Sequence, residues 1–291
     1  MNKSKLANIS LQAGIHTFNM ESCQLSVKTE MEAIYLKSIR ETPNKYSNIA
    51  KYSYIINLNN TERGNLTKYN QFEDMFIYCL DDMEISEYYI RRCDFRIDSY
   101  NDFNELLKLN KCIVLMLSLK YSVKNRYQSK DPLLLEDLTI RIQNTRIECE
   151  YYNKMIESNG KDKVKSRLEF RSKAIGRDKD IPTLVVDWIK RLDNLTDYYD
   201  KLQSECNKNL KERWELEKGV KVKSISEFLR KYEENIFCRK QLIGFLNLVS
   251  VTNASKFADN FKYANKIEYF SEKDLRLYIA LIQKSLQDYL N

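Results

Sequence analysis

Three short segments of the sequence alternate apolar and charged residues, and together they would form a surface suited to phosphate chemistry. They are residues 92–98 (RCDFRID), 146–152 (RIECEYY) and 167–171 (RLEFR). Because successive side chains of a β-strand point to opposite faces, the charged residues of each segment would share one face. That face would gather carboxylates that bind divalent metals, arginines that bind phosphates, and a tyrosine hydroxyl able to act as a nucleophile.

The alternation assigns each side chain of these segments to one of two faces. The residues predicted to face outward are Arg92, Asp94, Arg96, Asp98, Glu148, Glu150, Tyr152, Arg167, Glu169 and Arg171. The residues predicted to cover a hydrophobic core are Cys93, Phe95, Ile97, Ile147, Cys149, Tyr151, Leu168 and Phe170. An ordinary strand with one solvated face produces the same pattern, and a single β-bulge would reverse the assignment beyond it.

Spacing limits which of these groups can act together. Asp94 and Asp98 lie about 13 Å apart along a strand, so they would not hold the same ion unless the strand bends. Acids on neighbouring strands are about 4.8 Å apart, so one aspartate would share an ion with Glu169 or with an acid of residues 146–152. Glu150 and Tyr152 are about 6.6 Å apart, which would bring a phosphate held near Glu150 within reach of the Tyr152 hydroxyl.

Composition excludes several classes of catalytic site. The chain has one histidine, so a two-histidine metal site is excluded, and we expect His16 to be structural rather than catalytic. The six glycines form neither a Walker loop nor a GxGxxG motif, and no GxSxG nucleophile elbow is present. The seven cysteines contain no CxxC pair, so we expect no zinc site and reduced thiols.

The overall composition is that of a soluble chain with room for two domains. It has 291 residues, 43% of them hydrophobic, and a net charge of +7, with basic residues in excess between positions 154 and 179. The longest apolar run, at residues 112–117, is too short to span a bilayer. No apolar stretch typical of a secretory signal follows the first residue, so we expect a cytoplasmic protein with no membrane partner.

The elements that would position these residues change in character near residue 180. Before it, segments of strand alternation mix with helical ones, which predicts an α+β fold with an antiparallel sheet and helices on one face. Strands are predicted at 52–58, 85–98, 135–143, 145–152 and around residue 167, and helices at 72–80 and 100–121. Residues 181–291 have helical spacing almost throughout. We therefore predict two domains, residues 1–180 for the chemistry and residues 181–291 for DNA binding or oligomerisation.

The C-terminal helices are predicted from apolar spacing and from N-cap residues. Ser224 has Glu227 three positions later, a capping-box spacing, and Ser271 precedes the last helix. The predicted helices span residues 184–217, 224–237, 241–249, 254–261 and 271–290. Short helices with tight connections are compatible with a helix-turn-helix DNA reader and equally with a bundle that only packs.

Three motifs resemble those of the replication-initiation-factor family, which comprises rolling-circle plasmid initiators and the related relaxases of conjugative elements. They are RxDxxxD at residues 92–98, YNKxxE at residues 152–157 and RxE at residues 167–169, in the family's order and approximate spacing. The resemblance covers about residues 50–175. It implies that Tyr152 nicks one DNA strand, and that Asp94, Asp98 and Glu169 belong to the region that binds Mg²⁺ or Mn²⁺.

The mechanism implied by the resemblance is a tyrosine transesterification. Tyr152 would attack the scissile phosphate, leaving a 5'-phosphotyrosine and a free 3'-hydroxyl that a polymerase can extend. Glu150 is the nearest base by sequence, Lys154 would act at the phosphate, and Tyr151 is a competing nucleophile on the predicted core face. The residues predicted to contact DNA are Arg92, Arg96, Arg167, Arg171 and Lys173. The implied partners are origin DNA, double-stranded and single-stranded at the nick, a host helicase or polymerase, and a second copy of the chain.

Two other functions fit the same residues. The chain would be a DNA-binding regulator without nicking activity if the charged face only contacts the phosphate backbone. It would be a structural or interaction protein if that face is simply solvated. DNA affinity and its dependence on salt separate these two alternatives.

Overall fold

A seven-stranded antiparallel sheet forms the centre of the protein, whose computed structural model describes residues 5–42, 49–60, 66–121, 139–176 and 179–291. The strands are β1 (Leu11–Ser22), β2 (Leu36–Thr42), β3 (Lys51–Ile56), β4 (Tyr89–Ser99), β5 (Thr139–Gln143), β6 (Ile147–Asn153) and β7 (Ser166–Lys173). Their order across the sheet is β2-β3-β1-β4-β7-β6-β5. The sheet and its helices confirm the predicted α+β class. Residues 135–138 of the predicted hairpin lie outside the described residues.

The apolar side chains of the three alternating segments lie in the core, as predicted. Those of β4 are Cys93, Phe95 and Ile97, those of β6 are Ile147, Cys149 and Tyr151, and those of β7 are Leu168 and Phe170, all buried. Aromatic rings of the covering helices stack on them. Phe170 lies 4.8 Å from Trp188 and Tyr151 lies 4.8 Å from Phe103, measured between ring centroids.

The charged side chains of the same strands lie on the face opposite the core, as predicted, but most of them are buried there rather than solvated. Asp94, Asp98, Glu148, Arg167 and Glu169 are each at most 3% exposed. Opposite charges on neighbouring strands form ion pairs with one another. Residues 57–59 and 154–164 lie at the edge of this face and line the cavity above it. Alternation of apolar and charged residues along one strand does not show whether its charged face is buried or solvated. The oppositely charged residues that make burial possible lie on other strands.

The longest strand, β1, is not predicted from sequence alternation, although it lies between β3 and β4 in the middle of the sheet. Its pattern breaks at His16: Ile15 is buried before it, whereas Phe18 and Met20 are buried after it. The register with β4 shifts between Ile15 and Thr17, so His16 is the extra residue of a β-bulge. The bulge changes the parity within the strand and hides it from a search for strict alternation.

Four helices form the layer on the apolar face of the sheet. They are α1 (Tyr69–Met83), α2 (Phe103–Tyr121), α4 (Ile181–Leu192) and α9 (Glu272–Leu290), while α3 (Lys154–Glu157) is a single turn after β6. Phe18 of β1 packs edge-on against Phe72 and Phe76 of α1, with centroids 5.7 and 4.9 Å apart. This hydrophobic core contains residues from both sides of position 180.

A second hydrophobic core lies among the remaining helices. They are α5 (Tyr199–Glu217), α6 (Ile225–Lys231), α7 (Arg239–Leu248) and α8 (Ala254–Asn265). Helix α5 serves both cores, with Leu202 in the first and Leu210 in the second. Strands give way to helices at residue 180, whereas the division into domains 1–180 and 181–291 stays a prediction. None of the described helices is long and apolar enough to cross a membrane.

The predicted N-caps begin two of the C-terminal helices. The Ser224 hydroxyl accepts a hydrogen bond from the backbone N–H of Glu227 at 3.2 Å. At α9 the Ser271 hydroxyl accepts from the backbone N–H of Asp274 at 3.2 Å, and the Asp274 carboxylate accepts from the backbone N–H of Ser271 at 2.8 Å. This full capping box fixes the start of the helix that packs along β1.

We expect Ser271→Ala to lower the free energy of unfolding by about 1 kcal/mol, because it removes the N-cap acceptor of α9. Chemical denaturation of the two proteins measures the difference. Ser204→Ala, in the exposed interior of α5, is the control and should leave stability unchanged or slightly raised, since alanine is the better helix former. Equal losses for both variants would contradict the capping assignment.

Candidate functional site

Three rows of cross-strand neighbours bring the predicted site residues onto one face of β4, β7 and β6. The first row is Asp94, Arg171 and Glu148; the second is Arg96, Glu169 and Glu150; the third is Asp98, Arg167 and Tyr152. Acid and base alternate along most of each row and between rows. Lys154 lies outside the rows, in the turn α3 that follows β6. The register therefore gathers on one face the three motifs that lie far apart in sequence.

The Tyr152 hydroxyl lies at the centre of the candidate site. It donates a hydrogen bond to Oε1 of Glu169 at 2.7 Å, and Nδ1 of His16 lies 2.8 Å from the same oxygen. Glu169 is fully buried and Tyr152 is 9% exposed. Three groups from three different strands, β1, β7 and β6, thus meet at one carboxylate oxygen.

The ionisation of this pair follows from burial and from the charges around it. Burial alone would raise the pKa of Glu169, but the His16 imidazole, the Arg171 guanidinium and the Tyr152 hydroxyl outweigh it and hold that pKa well below its ordinary range. Burial, and then the negative charge of Glu169, raise the pKa of Tyr152 far above its ordinary value. At neutral pH the carboxylate is ionised and the phenol keeps its proton, so nucleophilic attack requires a base.

Glu150, predicted as that base, has a different contact. It lies opposite Glu169 across β6 and β7, and its carboxylate binds Nη2 of Arg171 at 2.8 Å. Burial raises the pKa of Glu150, in spite of the positive charge of Arg171. The acceptor of the Tyr152 hydrogen bond in this structure is therefore Glu169, which the sequence indicated only as a metal ligand.

His16 is the site residue that sequence reasoning missed. It was expected to be structural, yet the bulge in β1 turns its imidazole toward Glu169, although β4 lies between their two strands. The one signal in the sequence is the change of parity around it, with Ile15 and Phe18 on the same side of the strand. A break in strand alternation indicates a β-bulge, and a bulge can turn a lone histidine toward a neighbouring site.

The three predicted metal ligands are each held by a different guanidinium. Arg92 binds Asp94 through two hydrogen bonds of 2.7 Å, and Arg167 binds Asp98 at 2.5 and 3.1 Å. Arg171 binds Glu169 at 2.5 Å. Within the described ranges, no three His, Cys, Asp or Glu side chains converge on a point that would hold a metal ion. The arrangement described here does not fit a preformed site for Mg²⁺ or Mn²⁺, and the metal stays a prediction.

Most of the cations predicted to contact DNA are also committed to carboxylates. Besides Arg92, Arg167 and Arg171, Lys173 binds Glu148 at 3.0 Å, and Lys154 binds Glu157 in α3. Their contact with DNA stays a prediction. Arg96 differs from them because its Nε and Nη2 are buried without a hydrogen-bond partner in the described part of the chain.

Two adjoining cavities open onto this face. The first, of about 310 Å³, has Tyr152, Glu169, Glu150 and Arg171 in its wall. The second, of about 660 Å³, contains Arg96, Asp98 and Arg167 in its wall. Both cavities reach His16 and Glu157. The two cavities are therefore neighbours on the polar face of the sheet.

We expect Glu169→Gln to destabilise the fold most at neutral pH. Because the pKa of Glu169 in the fold lies below the ordinary 4.5, its ionised form stabilises the fold above about pH 4.5, and this contribution is lost as the pH falls further. The difference in unfolding free energy between wild type and variant should narrow from pH 7 to pH 3. Glu212→Gln, on the exposed side of α5, is the control and should give a small constant difference. A constant difference for Glu169→Gln would contradict the assignment.

Comparison with known proteins adds one structural similarity. No protein-family model matches this sequence, and none of the curated proteins matches it. A solved rolling circle replication initiator protein from Geobacillus stearothermophilus aligns with 62% of this chain and 78% of its own, at 14% sequence identity and a TM-score of 0.31. A similarity at this level carries no argument about shared fold or function, so the functional proposal depends on the residues of the site.

Proposed function

We propose that this chain nicks one strand of DNA with the Tyr152 hydroxyl, in the manner of rolling-circle replication initiators and relaxases. The observation that carries the proposal is the 2.7 Å hydrogen bond from that hydroxyl to the buried carboxylate of Glu169, at the wall of an open cavity. A nucleophile, a proton acceptor and cationic groups are the components of a transesterification site. The three motifs that resemble the replication-initiation-factor family supply these groups.

The proposed reaction exchanges one phosphodiester for another. The Tyr152 oxygen attacks phosphorus, the bond from phosphorus to the 3'-oxygen breaks, and the products are a 5'-phosphotyrosine and a free 3'-hydroxyl. The phenolic proton passes to Glu169 as the new bond forms, because the raised pKa of Tyr152 keeps the phenol neutral beforehand. Its lowered pKa makes Glu169 a weak base, so it passes the proton on to water in the open cavity that both side chains line.

Arg171 is the cation best placed to balance charge during this reaction. It lines the same cavity as the Tyr152 hydroxyl and binds Glu169 and Glu150 at 2.5 and 2.8 Å and also Glu148, so its charge becomes available to the phosphate as Glu169 takes the phenolic proton. Preorganised guanidinium donors stabilise the extra negative charge of a phosphoryl transition state. No step of this proposal depends on a metal, whose contribution the nicking experiment tests separately.

We expect Tyr152→Phe to abolish the covalent protein–DNA adduct, because the variant lacks the attacking oxygen. The substrate is a pool of 3'-labelled single-stranded oligonucleotides with a randomised centre, which requires no knowledge of the origin. Wild-type protein should retain the label on a denaturing gel, since the downstream fragment stays bound through its 5'-phosphate. Parallel reactions with Mg²⁺, with Mn²⁺ and with a chelator test the predicted metal.

Tyr151→Phe is the matched control for this experiment. The Tyr151 hydroxyl donates to the backbone carbonyl of Phe103 at 2.9 Å on the opposite, apolar face of the sheet. Its removal should cost about 1 kcal/mol of stability and leave the adduct intact. If wild type binds the pool and forms no adduct under any metal condition, the chain is instead a non-catalytic DNA-binding regulator. An adduct that persists in Tyr152→Phe would place the nucleophile elsewhere.

We also propose that α7 and α8 contact duplex DNA at the origin. They are consecutive helices joined by residues 249–253, and Arg239 of α7 holds α8 through Asp259 at 2.7 and 2.8 Å. Lys256, Asn260 and Tyr263 are exposed, and their spacing puts them on one face of α8. A helix of this kind fits the major groove of B-DNA. A host helicase or polymerase, a second copy of the chain and a cytoplasmic location stay predictions.

We expect Lys256→Ala to weaken binding to duplex DNA several-fold at low salt, with the slope of log affinity against log salt falling by about 0.9 for one lost phosphate contact. Fluorescence anisotropy with a duplex recovered from the adduct experiment, or with a random duplex, measures both quantities. Lys284→Ala, at an exposed position of α9, removes the same charge elsewhere and should change neither. Equal effects of the two variants would exclude α8 as the contact.

A further inference from the structure

The wall of the larger cavity contains a buried guanidinium, two of whose nitrogens have no hydrogen-bond partner in the part of the chain that the structure describes. Arg96, on β4, is 5% exposed, and its Nε and Nη2 have no hydrogen-bond partner in the described ranges. The nearest carboxylate oxygen is Oδ2 of Asp98 at 3.6 Å, and Asp98 is already held by two hydrogen bonds from Arg167. A buried donor without an acceptor is unfavourable, so an acceptor from a ligand would satisfy it.

Gly14 makes room for this guanidinium. It lies opposite Arg96 in the pairing of β1 with β4. A Cβ atom at this position would lie 2.9 Å from Nε of Arg96 and 3.0 Å from the backbone oxygen of Leu66. Any larger residue would therefore displace the guanidinium from its place. The absence of a side chain at Gly14 of β1 thus leaves the space that the Arg96 side chain occupies in the cavity wall.

The remaining charges of the cavity favour an anion. Lys37, Lys161 and Lys163 are exposed around it and have no carboxylate partner among the residues that the structure describes. The three acids of the wall are occupied: Asp98 binds Arg167, Glu157 binds Lys154, and Asp162 accepts from the backbone N–H of Val164 at 3.0 Å. The cavity therefore presents an excess of positive charge.

An aromatic ring stands at the rim of the same cavity. Tyr100 is 45% exposed and follows directly after β4, whose polar face carries Arg96. Exposed aromatic rings beside cationic grooves are stacking platforms for the bases of single-stranded nucleic acids. The buried guanidinium of Arg96 suits the phosphate of a nucleotide, and the aromatic ring of Tyr100 at the rim suits its base.

We propose that this cavity binds one nucleotide of single-stranded DNA, with a backbone phosphate on Arg96 and the base against Tyr100. Its position relative to the nick rests on the proposed function: the cavity shares His16 and Glu157 with the one that holds Tyr152, so the nucleotide is a neighbour of the scissile phosphate. The guanidinium gives a bidentate contact to phosphate oxygens, which a lysine would not reproduce.

The test measures binding of a fluorescent single-stranded thymidine octamer by anisotropy over a range of salt concentrations. Arg96→Gln should weaken binding about tenfold and reduce the salt slope by about 0.7, the value for one phosphate contact on a single strand. Arg96→Lys should restore the slope and only part of the affinity, because it keeps the charge without the planar fork. Tyr100→Ala should weaken binding at least about fivefold with an unchanged slope, since it removes stacking but no charge.

Two control variants remove the same chemical groups elsewhere. Arg276→Gln takes away an exposed arginine of α9, and Tyr78→Ala takes away an exposed tyrosine of α1. Neither should change affinity or slope. Thermal unfolding of all five variants checks that they are folded, and Arg96→Gln should not lower stability, because it removes a charge with no hydrogen-bond partner on two of its nitrogens.

The outcomes separate this inference from the proposed nicking activity. Arg96-dependent binding without a Tyr152 adduct would support the nucleotide cavity and contradict nicking. An adduct together with unchanged binding by folded Arg96→Gln and Tyr100→Ala would overturn the cavity and leave nicking in place. Absence of octamer binding by the wild-type protein would also overturn it.

Discussion

Burial of charge on one face of the sheet ties the structure to a single strand register. In the pairing of β4 with β7, Asp94 lies opposite Arg171 and Arg96 lies opposite Glu169. A slip by one residue would turn the apolar side chains to the polar face, and a slip by two in either direction would bring an aspartate opposite Glu169 and Arg96 opposite an arginine. Like charges opposed in a buried face are strongly unfavourable. The observed register gives Asp94, Arg96 and Asp98 each an opposite charge on β7, and the like-charged pair Arg92 and Lys173 lies near the end of the two strands.

The same register determines which groups remain available for chemistry. Most guanidiniums and carboxylates on the polar face of β4, β6 and β7 form ion pairs with one another, and we call this set of pairs the frame. Tyr152 is placed where its hydroxyl meets the ionised Glu169, whose pKa is lowered, against the effect of burial, first by His16 and then by Arg171. Arg96 is the exception within the frame, because its nearest carboxylate already serves Arg167. The Tyr152 hydroxyl with its carboxylate acceptor, and a guanidinium with two nitrogens that lack a partner in the described ranges, therefore line two neighbouring cavities on this face.

The helical part of the chain is fixed to the sheet layer by polar contacts as well as by the shared helix α5. The buried amine of Lys111 in α2 donates to the side chain of Asn235, whose backbone carbonyl accepts from Gln241 of α7 at 2.9 Å. Helix α7 in turn holds α8 through Arg239. A duplex bound at α8 would therefore have a defined orientation relative to the sheet, as the proposed nicking of one strand requires.

The sequence by itself determined the α+β class, the apolar face of β4, β6 and β7, and the caps at Ser224 and Ser271, because alternation, helical spacing and capping are local properties. Resemblance to family motifs pointed to Tyr152. Only the tertiary structure decided that the charged face is buried, that Glu169 rather than Glu150 accepts the Tyr152 hydrogen bond, and that His16 joins them. Those facts depend on which strands are neighbours and on a bulge that shifts one strand by a residue. Spacing along one strand contains neither kind of information.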